Sequence, residues 1–426
     1  MVLLTLGLMT LALFLLSVPV AFALGLSSLA TMLIWPGPPL LLAVQKILNG
    51  MDSFPLLAIP FFLFAAALMN DGGITPRIID VFTGALGRFR GSLGLVTVGT
   101  NVFLAGISGS AVADATATGS VLIPAMKREG YPPAFAAALT ACAAVIGPII
   151  PPSIPLVIYG VVAKVSIIKL FVAGYVPGLL LGGGLLLYVW MQARRRSFPA
   201  QASVPLQEMG RRVKRGFWSL LMPVLLIAGI FGGVFTVTEL GAVLVVYALV
   251  LSLVIYREMD IRRLPEALRR VALDSANVMI IVGVSSLFAY LIVVYQMTGA
   301  VAAFADSVVD SRVGALILMN VILLVVGMFL DSTPATIILV PIFMPMARAY
   351  GIDLTHLGMI MVFNLMVGLV TPPVALNLYI ASRIAGVPIG RVIAELLPMF
   401  ALLIAVLALI TFVPETVLWL PRQLGL

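Results

Sequence analysis

The sequence predicts an all-α polytopic membrane protein, and three observations support this fold class. The chain has 426 residues, of which 62% are hydrophobic and only 10% are charged. A soluble domain is typically about 45–50% apolar and about 25% charged. The apolar residues form continuous runs instead of alternating with polar ones, which predicts helical spans and excludes an outer-membrane β-barrel.

The cysteine and histidine content excludes further classes of protein. The single Cys142 cannot form a disulfide within the chain, and the single His356 rules out a histidine-based metal cluster. The chain lacks a GxxxxGK[ST] phosphate-binding loop, so we expect no direct use of ATP. We also expect that the chain is not an enzyme. The net charge of +8 is expected to reflect basic loops on the cytoplasmic side of a membrane.

Nine apolar stretches are long enough to span a bilayer, whose ~30 Å hydrocarbon core requires about 20 helical residues. They are residues 3–24, 54–71, 132–163, 168–191, 217–235, 239–256, 274–297, 355–385 and 391–413. The first stretch lacks a basic n-region, because the first basic residue is Lys46, and is expected to be a retained span. Residues 76–90 and 258–272 are amphipathic and are expected to form arms along the membrane interface.

Two further apolar segments, residues 92–126 and 313–349, are interrupted in the middle by small and polar residues. This pattern predicts two re-entrant helical hairpins. The spans at 132–163 and 355–385 contain Pro-Pro breaks and are expected to be broken helices. An unpaired backbone group in hydrocarbon costs several kcal/mol, so such breaks are expected only where they are buried in protein or line a polar cavity.

The chain repeats itself at an offset of 221 residues, and six glycine and proline residues mark the repeat. The matches are Gly106 with Gly327, Pro124 with Pro345, Gly130 with Gly351, Pro151-Pro152 with Pro372-Pro373, and Pro177 with Pro398. We predict a first half (1–191, with hairpin 92–126 and broken helix 132–163), a cytoplasmic linker (192–215), and a second half (216–426, with hairpin 313–349 and broken helix 355–385).

The basic residues orient these segments. With the linker in the cytoplasm, 19 of the 25 Lys and Arg residues fall on that side, as the positive-inside rule requires. This orientation predicts a cytoplasmic N-terminus, an external C-terminus and two inverted halves. An inverted repeat with broken helices is typical of secondary transporters.

The four backbone breaks are the candidate binding site. Freed carbonyl oxygens suit a dehydrated Na⁺ ion, and the N-termini of the restarting helices suit a carboxylate. The hydroxyls of Ser110, Ser332, Thr333 and Thr371 are candidate additional ligands. Asp114 and Asp331 are the acids well inside the hairpins, and for each both cation ligation and simple helix capping remain open. Asn377 is a candidate for substrate binding or for an interhelical hydrogen bond.

A different class of function is suggested by Gly106-Ile-Ser-Gly109, which matches the GxSG pattern of intramembrane serine proteases. Such a protease requires a base within hydrogen-bond reach of the serine. The one histidine, His356, is expected near the membrane interface at the start of a helix, whereas Ser108 is expected at depth. This separation argues against proteolysis.

Four segments together resemble the large membrane subunit of the tripartite ATP-independent periplasmic (TRAP) transporters, and the resemblance covers essentially the full length. They are GISGSAVADATATGSVLIPAMKREGYP (106–132), GPIIPPSIPLVIYG (147–160), MFLDSTPATIILVPI (328–342) and GLVTPPVALNLY (368–379). The resemblance implies secondary import of an organic acid across the bacterial inner membrane by an elevator-type, Na⁺-driven mechanism. It also implies two partners, a four-helix small membrane subunit and a periplasmic substrate-binding protein.

By motif match, the resemblance implies Na⁺ ligation at the hairpin tips and facing breaks, namely at Gly109, Ser110, Gly147, Asp331, Ser332, Gly368 and Thr371. The candidate substrate-binding residues are Ser108, Asp114, Ser153, Thr333 and Asn377. The alternative within transport is a stand-alone anion carrier or Na⁺/H⁺ exchanger of related architecture, which needs no binding protein.

Overall fold

The computed structural model of the protein describes residues 2–16, 18–201, 204–297, 299, 309 and 311–426, and these residues form helices, turns and loops without a strand. The helices up to residue 195 are α1 (Val2–Leu15), α2 (Val20–Ile34), α3 (Leu41–Met51), α4 (Ala58–Asp71), α5 (Ile74–Leu86), α6 (Ser92–Ser108), α7 (Ala111–Arg128), α8 (Pro133–Ala144), α9 (Ile154–Ala163) and α10 (Ile167–Arg195).

The later helices are α11 (Leu206–Phe231), α12 (Val237–Leu249), α13 (Leu264–Val294), α14 (Arg312–Gly327), α15 (Ser332–Ala349), α16 (Leu354–Gly368), α17 (Leu376–Ala385), α18 (Ile389–Phe412) and α19 (Glu415–Gln423). Within the described ranges, seven helical segments are long and apolar enough to cross a membrane: α4 with its preceding 3₁₀ turn, α10, α11, α12 with its following π turn, α13, α15 and α18. The all-α polytopic fold class is therefore confirmed.

The N-terminal region differs from the prediction of a single span at 3–24. It forms two helices, α1 and α2, which are separated before Pro19. They run antiparallel, because Thr10 donates a hydrogen bond to Ser27 (2.8 Å) and the Trp35 indole donates to Thr5 (3.3 Å). The single-span prediction is wrong. Both helices are apolar and follow each other closely in the sequence, so the composition shows no boundary between them. Pro19, which disfavours helical backbone in the preceding residue, is the signal of the turn.

Two helices extend beyond the predicted boundaries. The arm expected at 258–272 and the span expected at 274–297 are largely one helix, α13, which begins at Leu264 with no break before the apolar run. Helix α11 begins at Leu206, inside the predicted linker. Its first turns carry Glu208, which pairs with Arg211 (3.4 Å) and Arg212 (3.7 Å), a spacing that supports a helix.

Each half of the chain contains a helical hairpin followed by a broken helix. In the first half, α6 and α7 meet at residues 109–110, and α8 and α9 are separated by residues 145–153. In the second half, α14 and α15 meet at residues 328–331, and α16 and α17 are separated by residues 369–375. The bonds Pro151-Pro152 and Pro372-Pro373 are both cis.

The ends of the returning hairpin helices also repeat in detail. Gly130 and Gly351 follow α7 and α15 with positive φ angles of 84° and 63°. The next amide donates five residues back in both cases, from Tyr131 to Met126 (3.0 Å) and from Ile352 to Ala347 (2.8 Å). Glycine permits the left-handed conformation that this C-cap requires. The internal repeat in the sequence is thus accompanied by a repeat in local geometry.

The two halves interlock through their hairpins. Helix α7 of the first half packs against α17 of the second, and α15 of the second half packs against α9 of the first. Lys127 at the end of α7 donates a hydrogen bond to the carbonyl of Ala385 (2.7 Å), and Tyr159 on α9 donates to the carbonyl of Leu354 (2.5 Å). Each returning helix therefore packs against the broken helix of the other half, and the Tyr159 bond joins the two broken helices to each other.

Helices α4, α11, α12 and α13 pack beside this assembly, and the amphipathic helix α5 connects α4 to the first hairpin. Three ion pairs lie near the ends of these helices. Arg77 pairs with Glu258 (2.6 Å), Arg212 with Asp80 (3.0 Å) and Arg270 with Asp71 (3.4 Å). The three arginines come from segments that the charge pattern assigns to the same, cytoplasmic side.

Candidate functional site

The first hairpin tip lies directly on the backbone of the first break. Gly109 joins α6 and α7 with a positive φ of 62°. A β-carbon on Gly109 would lie 2.5 Å from the carbonyl oxygen of Pro152. Only glycine fits here, because any side chain would be strained by the backbone angle and would collide with a carbonyl group. The contact joins the tip to the break.

Asp114 lies in the first turn of α7, just behind this tip, and its side chain is buried. The Ser108 hydroxyl lies close enough to interact with the carboxylate, whereas oxygen Oδ2 has no hydrogen-bond partner among the described residues. A β-carbon on Gly147, in the first break, would lie 2.3 Å from Oδ2. An ionised carboxylate left unpaired at such a position is costly, so this oxygen is a candidate ligand for a cation or for a proton.

The two serines at the restarting helices act as N-caps. Ser110 accepts a hydrogen bond from the amide of Ala113 (3.4 Å), and Ser153 accepts one from Leu156 (3.3 Å) and donates to the carbonyl of Pro148. Ser153 is fully buried within its own break, whereas Ser110 is partly exposed. The structure thus brings Ser108, Ser110, Asp114 and Gly147 together and keeps the hydroxyl of Ser153 bonded inside the break.

A cavity of about 540 Å³ runs beside α7 from the first hairpin tip. The tip contributes Ser108 and Ser110, and the exposed face of α7 contributes Thr116 and Ser120. Its other wall comes from α4, α5 and α13 and carries polar groups that the sequence analysis missed: Asn70, Asp71, Thr75, Arg270 and Asp274. The ion pair of Asp71 and Arg270 lies in this wall, so the cavity extends towards the end of the molecule that is rich in arginine.

The second hairpin also contacts the break of its own half, but through different atoms. A β-carbon on Gly368, in the second break, would lie 2.5 Å from the carbonyl carbon and oxygen of Gly327 at the end of α14. Asp331 occupies the N-cap position of α15 and is exposed. It lines a cavity of about 190 Å³ together with Gly327, Gly368 and Ala375.

The remaining predicted residues of the second half are buried. Ser332 and Thr333 begin α15 and are 6% and 8% exposed. Thr371 lies in the second break and donates its hydroxyl to the carbonyl of Val367 (2.7 Å). Asn377, in the first turn of α17, is fully buried, and neither polar atom of its side chain has a hydrogen-bond partner in the described part of the chain. Buried amides are rarely unpaired, so Asn377 is a candidate for contact with a bound species.

The geometry does not support a serine protease. His356 lies in the first turn of α16, at a helix start as predicted; it is fully buried, and its Nε2 lies 2.7 Å from the carbonyl oxygen of Ile410. The Ser108 hydroxyl instead interacts with Asp114. The serine and the histidine therefore do not form a nucleophile–base pair.

Comparison with known proteins identifies the family. The profile of the tripartite ATP-independent periplasmic transporter DctM component matches residues 7–416. The chain is 37% identical over 404 residues to the C4-dicarboxylate TRAP transporter large permease protein DctM of Pseudomonas aeruginosa, with 95% of both chains covered. It is equally 37% identical over 404 residues to the sialic acid TRAP transporter large permease protein SiaM of Vibrio cholerae, again with 95% of both chains covered.

A solved structure shares the fold. The YdaH transporter of Alcanivorax borkumensis superimposes with a TM-score of 0.61 over 86% of each chain, at 17% sequence identity. The relatives are transporter permease subunits and not enzymes, in agreement with the prediction from the sequence. The chain belongs to the DctM family and is the large permease subunit of a tripartite ATP-independent periplasmic transporter, a multi-pass membrane protein.

Proposed function

We propose that this permease imports an organic acid together with Na⁺. The observation that carries the proposal is oxygen Oδ2 of Asp114, which has no partner in the part of the chain that the structure describes and lies between the first hairpin tip and Gly147 of the first break. The same combination of hairpin and break recurs in the second half around Gly368 and Asp331. The names of the relatives refer to a C4-dicarboxylate and to sialic acid, both of which carry carboxylate groups.

Two sets of oxygen ligands are proposed for Na⁺. The first consists of Gly109, Ser110 and Gly147, and we add Asp114 to it. The buried carboxylate suits a cation better than a substrate anion, because two like charges repel each other. The second set consists of Asp331, Ser332, Gly368 and Thr371. In both sets, backbone carbonyls at a break complement the side chains, as is usual for Na⁺ in transporters with broken helices.

The substrate carboxylate is proposed to bind between the two hairpin tips. The candidate ligands are Ser108, Thr333 and Asn377. Ser153 is a further candidate, whose hydroxyl would have to exchange its hydrogen bond to the carbonyl of Pro148 for one to the substrate. The N-termini of α7 and α15 point their free amides towards the tips and favour an anion. The side-chain amide of Asn377, which is unpaired within the described ranges, supports this assignment, because a carboxylate can accept a hydrogen bond from its nitrogen.

Transport is proposed to follow an elevator mechanism. The interlocked hairpins and broken helices form the moving body, whereas α4, α11, α12 and α13 form the scaffold and α5 links the two. The cavity beside α7 then corresponds to an inward-open state, from which the substrate leaves past Thr116 and Ser120. Two Na⁺ ions entering with a monoanion, at a tenfold gradient and 100 mV, would supply about 5 kcal/mol.

The proposed partners are those of a tripartite system. A four-helix small membrane subunit is expected to bind the scaffold, and a periplasmic substrate-binding protein is expected to deliver the organic acid. The proposed location is the bacterial inner membrane, and the linker region rich in arginine is expected to lie in the cytoplasm.

Uptake into proteoliposomes tests this function. The vesicles contain the permease and its small subunit, and radiolabelled organic acids are supplied with or without the binding protein under inward Na⁺ or K⁺ gradients. The proposal predicts uptake that requires both Na⁺ and the binding protein. Equal uptake without the binding protein would support the stand-alone carrier instead, and equal uptake in K⁺ would remove Na⁺ from the mechanism.

A further inference from the structure

A basic cavity of about 510 Å³ lies between α5, α11 and the end of α12, away from the hairpin tips. Its lining carries four cationic side chains, Arg77, Arg212, Lys214 and Arg215, against two carboxylates, Asp80 and Glu258. Trp218 and Tyr256 complete the wall. The proposed transport mechanism does not use this cavity.

The positive charge of this lining is unevenly compensated. Arg77 pairs with Glu258 at 2.6 Å and Arg212 with Asp80 at 3.0 Å, so these four groups largely neutralise one another. Lys214 and Arg215 are exposed, and neither forms an ion pair with a carboxylate in the described parts of the chain. Two adjacent residues therefore leave the cavity with two uncompensated positive charges.

The base of the cavity is held in place by packing and hydrogen bonds. The Tyr256 hydroxyl accepts a hydrogen bond from the Ser219 amide (3.2 Å), and the Arg77 guanidinium lies 3.9 Å from the centre of the Tyr256 ring. Gly216 brings α11 close to α5, since a β-carbon there would be 2.8 Å from Val81. These contacts fix the walls of the cavity, which is therefore preformed.

The amino-acid composition of α11 changes at the level of the cavity. Residues 206–215 of this helix are rich in charge, whereas residues 217–231 are apolar. Phe217 and Trp218 stand at the boundary, both exposed, with their rings 5.4 Å apart. Aromatic side chains next to basic residues mark the level of lipid headgroups on the cytoplasmic side of a membrane.

We propose that this cavity binds the phosphate headgroup of an anionic phospholipid of the cytoplasmic leaflet. Lys214 and Arg215 contact the phosphate, and Trp218 lies beside the glycerol and upper acyl region. The bound headgroup bridges α11 to α5, the helix that leads into the first hairpin. Occupancy of the cavity therefore stabilises the position of α5 against the scaffold.

Native mass spectrometry of the purified complex of this chain with its small subunit tests the proposal. The complex is incubated with phosphatidylglycerol or cardiolipin, with phosphatidylcholine as the zwitterionic comparison, and with glycerol 3-phosphate as the soluble phosphate. The K214Q/R215Q variant is compared with R262Q/R263Q, which removes the same charge from an adjacent exposed pair outside the cavity. A K214R/R215K variant keeps the charge and controls for folding.

The proposal predicts retention of phosphatidylglycerol or cardiolipin but not of phosphatidylcholine. It further predicts an at least threefold weaker retention in K214Q/R215Q, with wild-type retention in R262Q/R263Q and K214R/R215K. Equal retention in both glutamine variants, equal retention of phosphatidylcholine, or displacement of the lipid by equimolar glycerol 3-phosphate would overturn it. Loss of retention in K214R/R215K would count against a site defined by charge.

Discussion

Oxygen Oδ2 of Asp114 lies so close to Gly147 that a β-carbon on this glycine would be 2.3 Å away from it. The two residues are far apart in sequence and belong to the first hairpin and to the first break. Their contact brings a carboxylate oxygen that has no partner among the described residues next to a break in the α-helix, where the Gly147 amide donates only three residues back, to Ala144 (3.1 Å). This arrangement is the basis of the proposed cation site.

Gly147→Ala is expected to abolish Na⁺-dependent uptake, because the added methyl group occupies the space of the Asp114 carboxylate. Gly183→Ala is the matched control, since Gly183 is helical and a β-carbon there has no neighbour within 4 Å. Uptake by reconstituted vesicles is the measurement, and the control variant is expected to transport like the wild type. Normal Na⁺-dependent uptake by Gly147→Ala would show that the contact has no role in ion binding.

Asp114→Asn is expected to weaken Na⁺ binding while leaving the fold intact, because it removes the charge but retains the shape of the side chain. The Na⁺ concentration that gives half-maximal uptake should rise about tenfold, which corresponds to ~1.4 kcal/mol. The control is Asp274→Asn, which removes an exposed carboxylate from the nearby cavity beside α7. An unchanged Na⁺ dependence in Asp114→Asn, or an equal change in both variants, would contradict the assignment.

Gly109→Ala is expected to disrupt the first hairpin tip more than backbone strain alone explains. Gly351 has nearly the same φ angle, 63° against 62°, but a β-carbon on it would meet no described residue within 4 Å. Both substitutions carry the cost of a left-handed backbone, about 1–2 kcal/mol. Only Gly109→Ala also collides with the carbonyl of Pro152, so it alone should lose uptake at equal protein yield. Similar uptake by the two variants would argue against a tip that is held by the break.

The cavity beside α7 predicts a pattern of thiol labelling. The native Cys142 is fully buried and should not react with a membrane-impermeant maleimide. A cysteine at Ser120, on the exposed face of α7, should react from the cytoplasmic side, and one at Ser166, near the opposite end, only from the outside. Labelling of Ser120→Cys should slow when Na⁺ and substrate are present. Reaction of Ser120→Cys only from outside would reverse the proposed orientation.

The hairpins and breaks are the part of the fold that the sequence specifies best. Glycine and proline act locally, and their recurrence at one offset marks the turns around Gly109 and Gly368 without reference to tertiary structure. The turn before Pro19 is difficult to predict from composition, because the helices on both sides are similarly apolar. The continuity of α13 was missed for a related reason, since its amphipathic start and its apolar part differ in composition but not in helical propensity.

The walls of the site were less predictable than its tips. Asn70, Thr75 and Arg270 line the cavity because α4, α5 and α13 pack opposite α7, and no local pattern in the sequence signals that packing. The burial of His356 likewise depends on the neighbouring α18, which supplies the carbonyl of Ile410. The sequence identifies Asp114 as a candidate binding residue, but its position against Gly147 depends on tertiary contact.

The most direct test of the account follows radiolabelled sodium and a radiolabelled organic acid in the same proteoliposomes, with the small subunit and the binding protein present. If Na⁺ drives uptake at the hairpin tips, sodium enters in a fixed ratio to the acid, each flux stops when the other species is omitted, and Asp114→Asn reduces both fluxes together. Entry of the acid at an undiminished rate without any accompanying sodium would contradict the central claim that the hairpin tips and breaks bind the driving ion.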